Sequence, residues 1–322
     1  MRRRDFVAGL GLAAALPLSV RAEQGVRRIA ALIGFAEHDP ATRRRVTTFL
    51  KALAELGWTP NRNIAIEFRY GAGDAARNAV LAKELVALNP EVIFVNSTSS
   101  TAAVHRETRT IPVVFATVSD PVGSGFVTSL AHPGTNFTGF INVEASIAGK
   151  WLGLLKEVAP NVKRAALMYN PATATYFDYY LKPFQAAATA SGVSSVALEV
   201  GNVSDIAQAF ATRQRDDGII MMSDPFLTVN HAVANEKALE FRVPVVSGVS
   251  QGGSLITYAP DTEDLFRRSA GYVDRILRGA SPADLPVQLP TKFVLEINLK
   301  AAKALGIEIS PTLLARADEV IE

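Results

Sequence analysis

The chain has 322 residues, 48% of them hydrophobic, a net charge of +2 and no cysteine. Because single cores seldom grow beyond ~250–300 residues, this length predicts two domains. The lack of cysteine excludes disulfides, thiolate metal sites, cysteine nucleophiles and a bacterial lipid anchor, and the small net charge indicates no nucleic-acid partner.

Residues 1–22 have the pattern of an export signal. Three arginines at positions 2–4 precede an apolar stretch at positions 7–20, and Ala22 offers a small residue at a cleavage point. The apolar stretch is too short to span a membrane. The run RRDFV at 3–7 resembles a twin-arginine signal, and an ordinary Sec signal is the alternative. Removal of this segment, with its four arginines and one aspartate, changes the net charge from +2 to about −1. We therefore predict a soluble periplasmic protein.

The first half of the chain alternates between strand and helix patterns. We predict strands at 28–35, 64–70, 92–95, 111–118 and 136–142, and helices at 40–57, 74–88 and 101–108. The apolar runs at 92–95 and 111–118 are continuous rather than alternating, which is typical of strands buried on both faces. This order predicts a parallel sheet with helices on both faces.

The same alternation begins again after a helix at 147–158. We predict strands at 164–169, 194–200, 218–222, 243–247 and 254–258, and helices at 175–191, 203–213 and 230–240. A helix at 262–279, an extended segment at 282–290, a strand at 292–298 and a short helix at 299–305 follow. We expect lobe 1 to hold 27–143 plus 262–279, and lobe 2 to hold 144–259 plus 286–322. Several chain crossings would form a hinge, with the ligand in the cleft between the lobes.

Small polar residues follow the two buried strands of the first half. Asn96, Ser97 and Thr98 end one strand and open a helix, whose free N–H groups and dipole attract a carboxylate or phosphate. Thr117 and Asp120 end the next strand. In open parallel sheets ligands bind outside the carboxyl ends of the strands. The alternatives are a helix cap for the hydroxyl residues and an Asp-Pro turn for the aspartate.

Three motifs resemble a known family. They are IPVVFATVSDPVGSGFV at 111–127, HPGTNFTGF at 132–140, and the long segment 252–309 that begins GGSLITYAPD. From about residue 28 onward the chain is similar to the tryptophan-type substrate-binding proteins of bacterial ABC transporters. The resemblance implies an α/β fold with two Rossmann-like lobes and a multi-crossing hinge, as in type I periplasmic binding proteins. It also implies delivery of a small molecule to an ABC permease, and in the best-known members that molecule resembles an aromatic amino acid.

The resemblance also implies roles for single residues. Ser97 and Thr98 match the turn that holds the ligand carboxylate, and Asp120 and Asp224 match acidic residues near the site. Ser250 lies two residues before a Gly-Gly turn, where the family often has a glutamate. This departure leaves open a ligand that is an aromatic or aliphatic carboxylate without an amine.

We therefore predict a monomeric solute-binding protein that captures a small carboxylate-bearing molecule, such as an aromatic amino acid, without metal or cofactor. The predicted ligand-binding residues are strand-end polar groups and aromatic side chains that would cover the apolar part of the ligand: Phe35, Asn96, Ser97, Thr98, Thr117, Asp120, Phe140, Tyr169, Asn170, Asp224, Ser247 and Ser250. Aromatic residues at 176–184 indicate helix packing, although Tyr176 can reach the cleft.

Two other classes of function stay open. A periplasmic sensor subunit would have the same sequence features as a transport protein. An enzyme is less well supported, since the four histidines lack metal-ligand spacing. The chain also has no G-x-S-x-G elbow, and the first predicted strand is not followed by a G-x-G-x-x-G fingerprint.

Overall fold

The computed structural model describes residues 25–250 and 252–322, which build two sheets flanked by helices. The export signal predicted at 1–22 lies outside the described residues. The first lobe begins with alternating strands and helices: β1 (Arg27–Ile33), α1 (Pro40–Glu55), β2 (Ile64–Tyr70), α2 (Ala75–Ala87), β3 (Val92–Asn96), α3 (Thr98–Glu107), β4 (Val113–Val118) and β5 (Phe137–Ile141).

The rest of the chain continues the alternation and ends in a mixed tail. Its elements are α4 (Ile147–Val158), β6 (Arg164–Tyr169), α5 (Phe177–Ala190), β7 (Ser194–Glu199), α6 (Val203–Ala211), β8 (Asp217–Met221), α7 (Pro225–Val229), α8 (His231–Glu240), β9 (Val245–Ser247), β10 (Ile256–Pro260), α9 (Thr262–Leu277), β11 (Phe293–Asn298), α10 (Leu299–Leu305), α11 (Pro311–Leu314) and β12 (Glu319–Ile321). A 3₁₀ turn occupies Pro282–Asp284.

The first sheet has the order β2-β1-β3-β4-β5, and all its strands run parallel. Every residue of β3 and β5 is buried, because helices cover both faces of the sheet. This is the arrangement that the continuous apolar runs predict.

The second sheet has the order β12-β11-β10-β9-β8-β6-β7. Read from its other edge, this sheet begins β7-β6-β8-β9-β10, which is the same order as β2-β1-β3-β4-β5 in the first sheet. The tail adds β11, which is antiparallel to β10, and β12, which is parallel to β11. The two lobes therefore share one strand order, and the second lobe has two additional strands, β11 and β12, at one edge of its sheet.

The chain passes between the lobes three times: between β5 and α4, between β10 and α9, and before β11. Helix α9 packs on α1 and on strands of the first sheet, and Gln288 pairs with Phe140 of that sheet. The predicted α/β fold with two lobes and a multi-crossing hinge is confirmed. The residue boundaries given for the lobes stay a prediction.

Short elements are where the structure differs from the sequence prediction. Helix α3 begins at Thr98 rather than at 101, because the Ser97 side chain accepts from the Ser100 N–H and caps it. Helix α7 is an additional short helix, which begins at Pro225 after the Asp224 cap. Helix α11 and the edge strand β12 were also not predicted; both are only three or four residues long, too short for a hydrophobic period to show.

Candidate ligand-binding site

The strand order reverses at the same place in both sheets, between β1 and β3 and between β6 and β8. Ligands of open α/β sheets bind in the crevice at such a point, outside the carboxyl ends of the strands. Here the two crevices open onto one cavity between the lobes. It is lined by Phe35, Ser97, Thr98, Thr117, Asn142, Tyr176, Ser223, Asp224, Pro225, Thr228, Gly248, Ser250, Pro260 and Thr262.

The cavity is narrow, with a volume of about 30 Å³. A single water molecule needs about 10–15 Å³ on this measure, so the cavity has room for roughly two. The lobes are therefore closed upon each other, and a solute of amino-acid size requires them to move apart.

The first lobe contributes the start of α3. Ser97 caps this helix, and Thr98 Oγ1 accepts from the Ser119 N–H at 2.8 Å. Ser97 and Thr117 both have left-handed backbones, with φ of 75° and 55°. Such conformations cost about 1–3 kcal/mol each and cluster at functional sites. Hydroxyls and N–H groups at this helix start can bind a carboxylate.

Asn96 supports this turn from below the cavity wall. Its Oδ1 accepts from the Gly34 N–H at 2.8 Å, which connects the end of β3 to the end of β1. Its Nδ2 is buried and has no hydrogen-bond partner among the described residues. Asn96 thus links the ends of β1 and β3 at the switch point.

The second lobe contributes a buried carboxylate. Asp224 is 1% exposed and accepts from the N–H groups of Leu227 at 2.9 Å and Asn170 at 3.2 Å, and from Thr173 Oγ1 at 3.1 Å. Burial raises the pKa of Asp224 to about 6, although these hydrogen bonds oppose the rise. It forms no ion pair with any residue that the structure describes. A buried carboxylate that has only neutral donors suits a ligand ammonium, since the cation would offset the cost of burying the charge.

Tyr176 and Asn142 both form hydrogen bonds to Ser223 of the second lobe, and the bond from Asn142 comes from the first lobe. The Tyr176 hydroxyl donates to the Ser223 carbonyl at 2.7 Å, and Asn142 Nδ2 donates to Ser223 Oγ at 2.6 Å across the cleft. Burial, and then the charge of Asp224, raise the pKa of Tyr176 well above its usual value, so it stays a neutral donor. Sequence reasoning did not select Asn142. The strand-end rule could have found it, because it directly follows β5.

Arg45 is a further residue that the sequence analysis missed. It is 3% exposed, its guanidinium lies 5.4 Å from the centre of the Phe35 ring, and its Nη2 donates to Ser250 Oγ at 2.9 Å. Three arginines stand in a row at 43–45, and no sequence signal separates the buried one from its neighbours.

Six of the predicted residues line the cavity: Phe35, Ser97, Thr98, Thr117, Asp224 and Ser250. Asn96 and Asn170 lie just behind the wall. Asn170 donates its N–H to Asp224 and its Nδ2 to the Val200 carbonyl at 2.9 Å, so it orients the carboxylate.

Two other predicted polar residues are engaged in their own turns. The Asp120 carboxylate accepts from the Gly123 N–H at 2.8 Å, as expected of an Asp-Pro turn. Ser247 Oγ accepts from the Val249 N–H at 3.0 Å. Neither residue is part of the cavity wall, because these local bonds turn the side chains away from it.

The aromatic residues Phe140 and Tyr169 also lie away from the cavity. Phe140 is in the core of the first lobe, 4.9 Å from the Tyr272 ring. Tyr169 stacks on Phe177 at 3.6 Å on the second lobe. Successive strand residues point to opposite faces, so proximity to a strand end does not decide which side chain enters the cleft.

Residues 25–250 and 252–322 were compared with the requirements of a metal site and of a membrane-spanning helix. Among them, no group of histidine, aspartate and glutamate side chains is arranged to hold a metal ion. None of their helices combines the length and apolar character needed to cross a membrane.

Comparisons with known proteins agree with this geometry. A family model described as ABC transporter substrate binding protein matches residues 29–321. The chain is 25% identical, over 286 residues, to a tyrosine-binding protein of Clostridioides difficile strain R20291, with 84% of this chain and 79% of that protein covered.

Two solved structures are similar over 92% of this chain. One is an ABC domain in complex with L-Trp from Streptococcus pneumoniae, with 25% identity, a TM-score of 0.82 and all of that chain covered. The other is the ligand-free, open form of a substrate-binding protein with adhesive properties from Clostridium difficile, with 26% identity, a TM-score of 0.67 and 99% of that chain covered. The present structure is thus more similar to the ligand-bound relative than to the open one.

Proposed function

Since the chain belongs to the family of ABC transporter substrate-binding proteins, we propose that it captures an amino acid in its interlobe cavity and delivers it to an ABC permease. One observation carries the amino-acid assignment: a hydroxyl-rich helix start from one lobe and the buried Asp224 from the other line the same cavity. The first can bind an α-carboxylate and the second an α-ammonium.

An aromatic side chain is the best-supported choice for the rest of the ligand. Phe35, Tyr176, Pro225 and Pro260 add flat or apolar surfaces to the cavity wall. Two relatives point the same way, since one is named for tyrosine and the other was solved with L-Trp. The relatives are binding proteins rather than enzymes, and the ligand should accordingly be released chemically unchanged.

Export belongs to the same proposal. Proteins of this family act outside the cytoplasm, and residues 1–22 have the charged start, apolar run and small cleavage residue of a signal peptide. We expect a monomeric mature protein that begins at Glu23. N-terminal sequencing of the periplasmic fraction measures this, and recovery of the full-length chain from the cytoplasm would contradict it.

The ligand class can be tested by thermal-shift screening of the purified protein. The panel contains the standard amino acids and, for each aromatic one, the matching carboxylic acid without the amine. A ligand that binds only the folded state adds ~2.7 kcal/mol at a hundredfold excess over Kd. Aromatic amino acids should stabilise the protein, and the acids without an amine should not.

The role of Asp224 is tested by Asp224→Asn. Loss of the charge should weaken amino-acid binding at least about tenfold, because the ammonium loses a charge-assisted hydrogen bond worth ~1.5–3 kcal/mol. Asp120→Asn is the matched control, since that carboxylate lies in its own turn outside the wall. Wild-type affinity in Asp224→Asn would refute the proposed ammonium site.

A further inference from the structure

Arg45 brings a positive charge to the edge of the ligand cavity. Its guanidinium is enclosed between Phe35 and Ser250, both of which line that cavity. Within the described part of the chain the hydrogen bond to Ser250 Oγ is its one polar contact, and it forms no ion pair. Because buried charges are normally paired, the missing partner calls for an explanation.

The acids nearest to this charge are engaged elsewhere. Asp39 caps α1 and accepts from the Thr42 N–H at 2.8 Å. Glu263 forms an ion pair with the exposed neighbour Arg44 at 3.1 Å. Burial lowers the pKa of Arg45 to about 10, and these two acids only partly oppose that effect. The guanidinium therefore stays charged at neutral pH without a carboxylate of its own.

The hydrogen bonds that lead from Arg45 have a defined direction. A guanidinium only donates, so Ser250 Oγ accepts its hydrogen bond. Thr262 Oγ1 donates to the Pro260 carbonyl at 3.3 Å, which leaves it to accept from Ser250 Oγ at 3.0 Å. Ser250, Pro260 and Thr262 all line the cavity. This part of the wall therefore presents a hydroxyl donor that is polarised by a cation behind it.

We propose that Ser250 and Thr262, with Arg45 behind them, form a subsite for a hydrogen-bond acceptor oxygen at the end of the ligand side chain. The inference rests on the proposed function, in which the α-carboxylate and α-ammonium occupy the α3 start and Asp224. When the oxygen enters, the Ser250 hydroxyl turns from Thr262 toward it. An aromatic amino acid with a ring oxygen is then preferred over the same ring without one.

The hydrogen bond between Arg45 and Ser250 can also act as a contact that closes the lobes. Arg45 is on α1 of the first lobe and Ser250 follows β9 of the second, so the bond also holds the lobes together. A bond that only closed the lobes would strengthen the binding of every ligand equally. An acceptor subsite would strengthen only ligands with the oxygen, so the ratio of two affinities distinguishes the roles.

The test uses three probes that differ at one ring position: L-tyrosine, L-phenylalanine and 4-amino-L-phenylalanine. Their dissociation constants are measured by calorimetry on the wild type, Arg45→Met and Arg44→Met. The wild type should bind tyrosine at least about tenfold more tightly than phenylalanine, and the amino analogue, whose ring group mainly donates, no more tightly than phenylalanine. Arg45→Met should bring the tyrosine-to-phenylalanine ratio close to one. Arg44→Met, which removes an exposed charge, should keep the wild-type ratio.

Results that contradict the subsite differ from the result that would contradict the proposed function. Equal wild-type affinities for tyrosine and phenylalanine, or an unchanged ratio in Arg45→Met, overturn the subsite and leave the proposed function standing. An equal loss for both ligands identifies a simple closing contact and also overturns it. If no amino acid binds the wild type, the proposed function fails and the subsite with it. Should Arg45→Met not fold, Ser250→Ala must lower the same ratio.

Discussion

At the scale of single residues, Asp224 is a buried charge in the cavity wall. Its carboxylate is fully enclosed, and every described group that bonds to it is neutral. The raised pKa of about 6 follows from that burial. Binding and folding should therefore depend on pH in opposite directions.

Amino-acid affinity should fall as the pH is lowered through 6. Asp224 is charged above its pKa and protonated below it, and only the charged form attracts an ammonium. Well below the pKa the limiting loss is about tenfold per pH unit. Calorimetry between pH 5 and 8 measures the slope, and Asp224→Asn serves as the control that should lack it. The same slope in the variant would assign the titration to another group.

Stability without ligand should respond to Asp224 in the opposite sense. Its folded pKa of about 6 exceeds the unfolded value of 3.8, so the folded state binds more protons between these values. The unfavourable contribution of this residue is therefore fully present above pH 6 and disappears as the pH falls toward 4. Urea unfolding of the wild type and Asp224→Asn at pH 5 and 7 measures how the contribution of Asp224 to the free energy of unfolding changes with pH. A difference between the two proteins that does not change with pH would contradict it.

At the scale of elements, the pairing of β4 with β5 depends on one glycine. The register shifts between Phe115 and Val118, and Gly139 lies opposite this irregularity with φ of 149°. A Cβ at Gly139 would come within 1.9 Å of the Phe115 carbonyl oxygen. The shift lies in the strand that leads to Thr117, a residue of the cavity wall. The bulge thus re-aims the chain next to the site.

Gly139→Ala should destabilise the protein by about 2–4 kcal/mol, because the strand must move or separate to accept the methyl group. Gly153→Ala in α4 is the control: a Cβ there meets no atom within 4 Å. Alanine in an open helical position should instead add about 0.5–1 kcal/mol. Urea denaturation of both variants gives the two free energies of unfolding. Equal changes in the free energy of unfolding for the two variants would show that the close approach of Gly139 to the Phe115 carbonyl does not determine stability.

At the scale of the whole molecule, direct bonds across the cleft hold the lobes together. Ser119 Oγ lies 2.8 Å from the Tyr180 hydroxyl, and Asn142 bonds to Ser223. The narrow cavity and the greater similarity to the relative with L-Trp describe the same closed arrangement. Type I binding proteins move by hinge closure around a ligand, and these bonds bias that equilibrium toward the closed form.

Tyr180→Phe should shift the ligand-free protein toward an open form, since the bond to Ser119 is lost. Small-angle scattering should then give a larger radius of gyration than for the wild type, and saturating ligand should bring both to one value. Tyr169→Phe is the control, because its hydroxyl donates to Glu199 of the same lobe. Identical scattering from all three proteins without ligand would show that this bond does not set the closure.

The sequence alone determined the two-lobed fold and part of the cavity wall. Each signal was local: an apolar strand, a helix period, and polar residues directly after a strand. Such signals identified the α3 start at Ser97 and Thr98, whereas Asp224 was assigned by the resemblance to the family. They succeed because the carboxyl ends of parallel strands must lie at one edge of a sheet, whatever the details of packing.

Only the tertiary structure decided which of the remaining side chains face the ligand cavity. Asp120 and Phe140 have the right position along the chain, but one bonds to its own turn and the other packs in a core. Arg45 and Asn142 reach the cleft, although the interpretation of the sequence passed over both. The reason is physical: a local pattern specifies the backbone element, whereas side-chain direction and the partner across a cleft depend on how two lobes pack together.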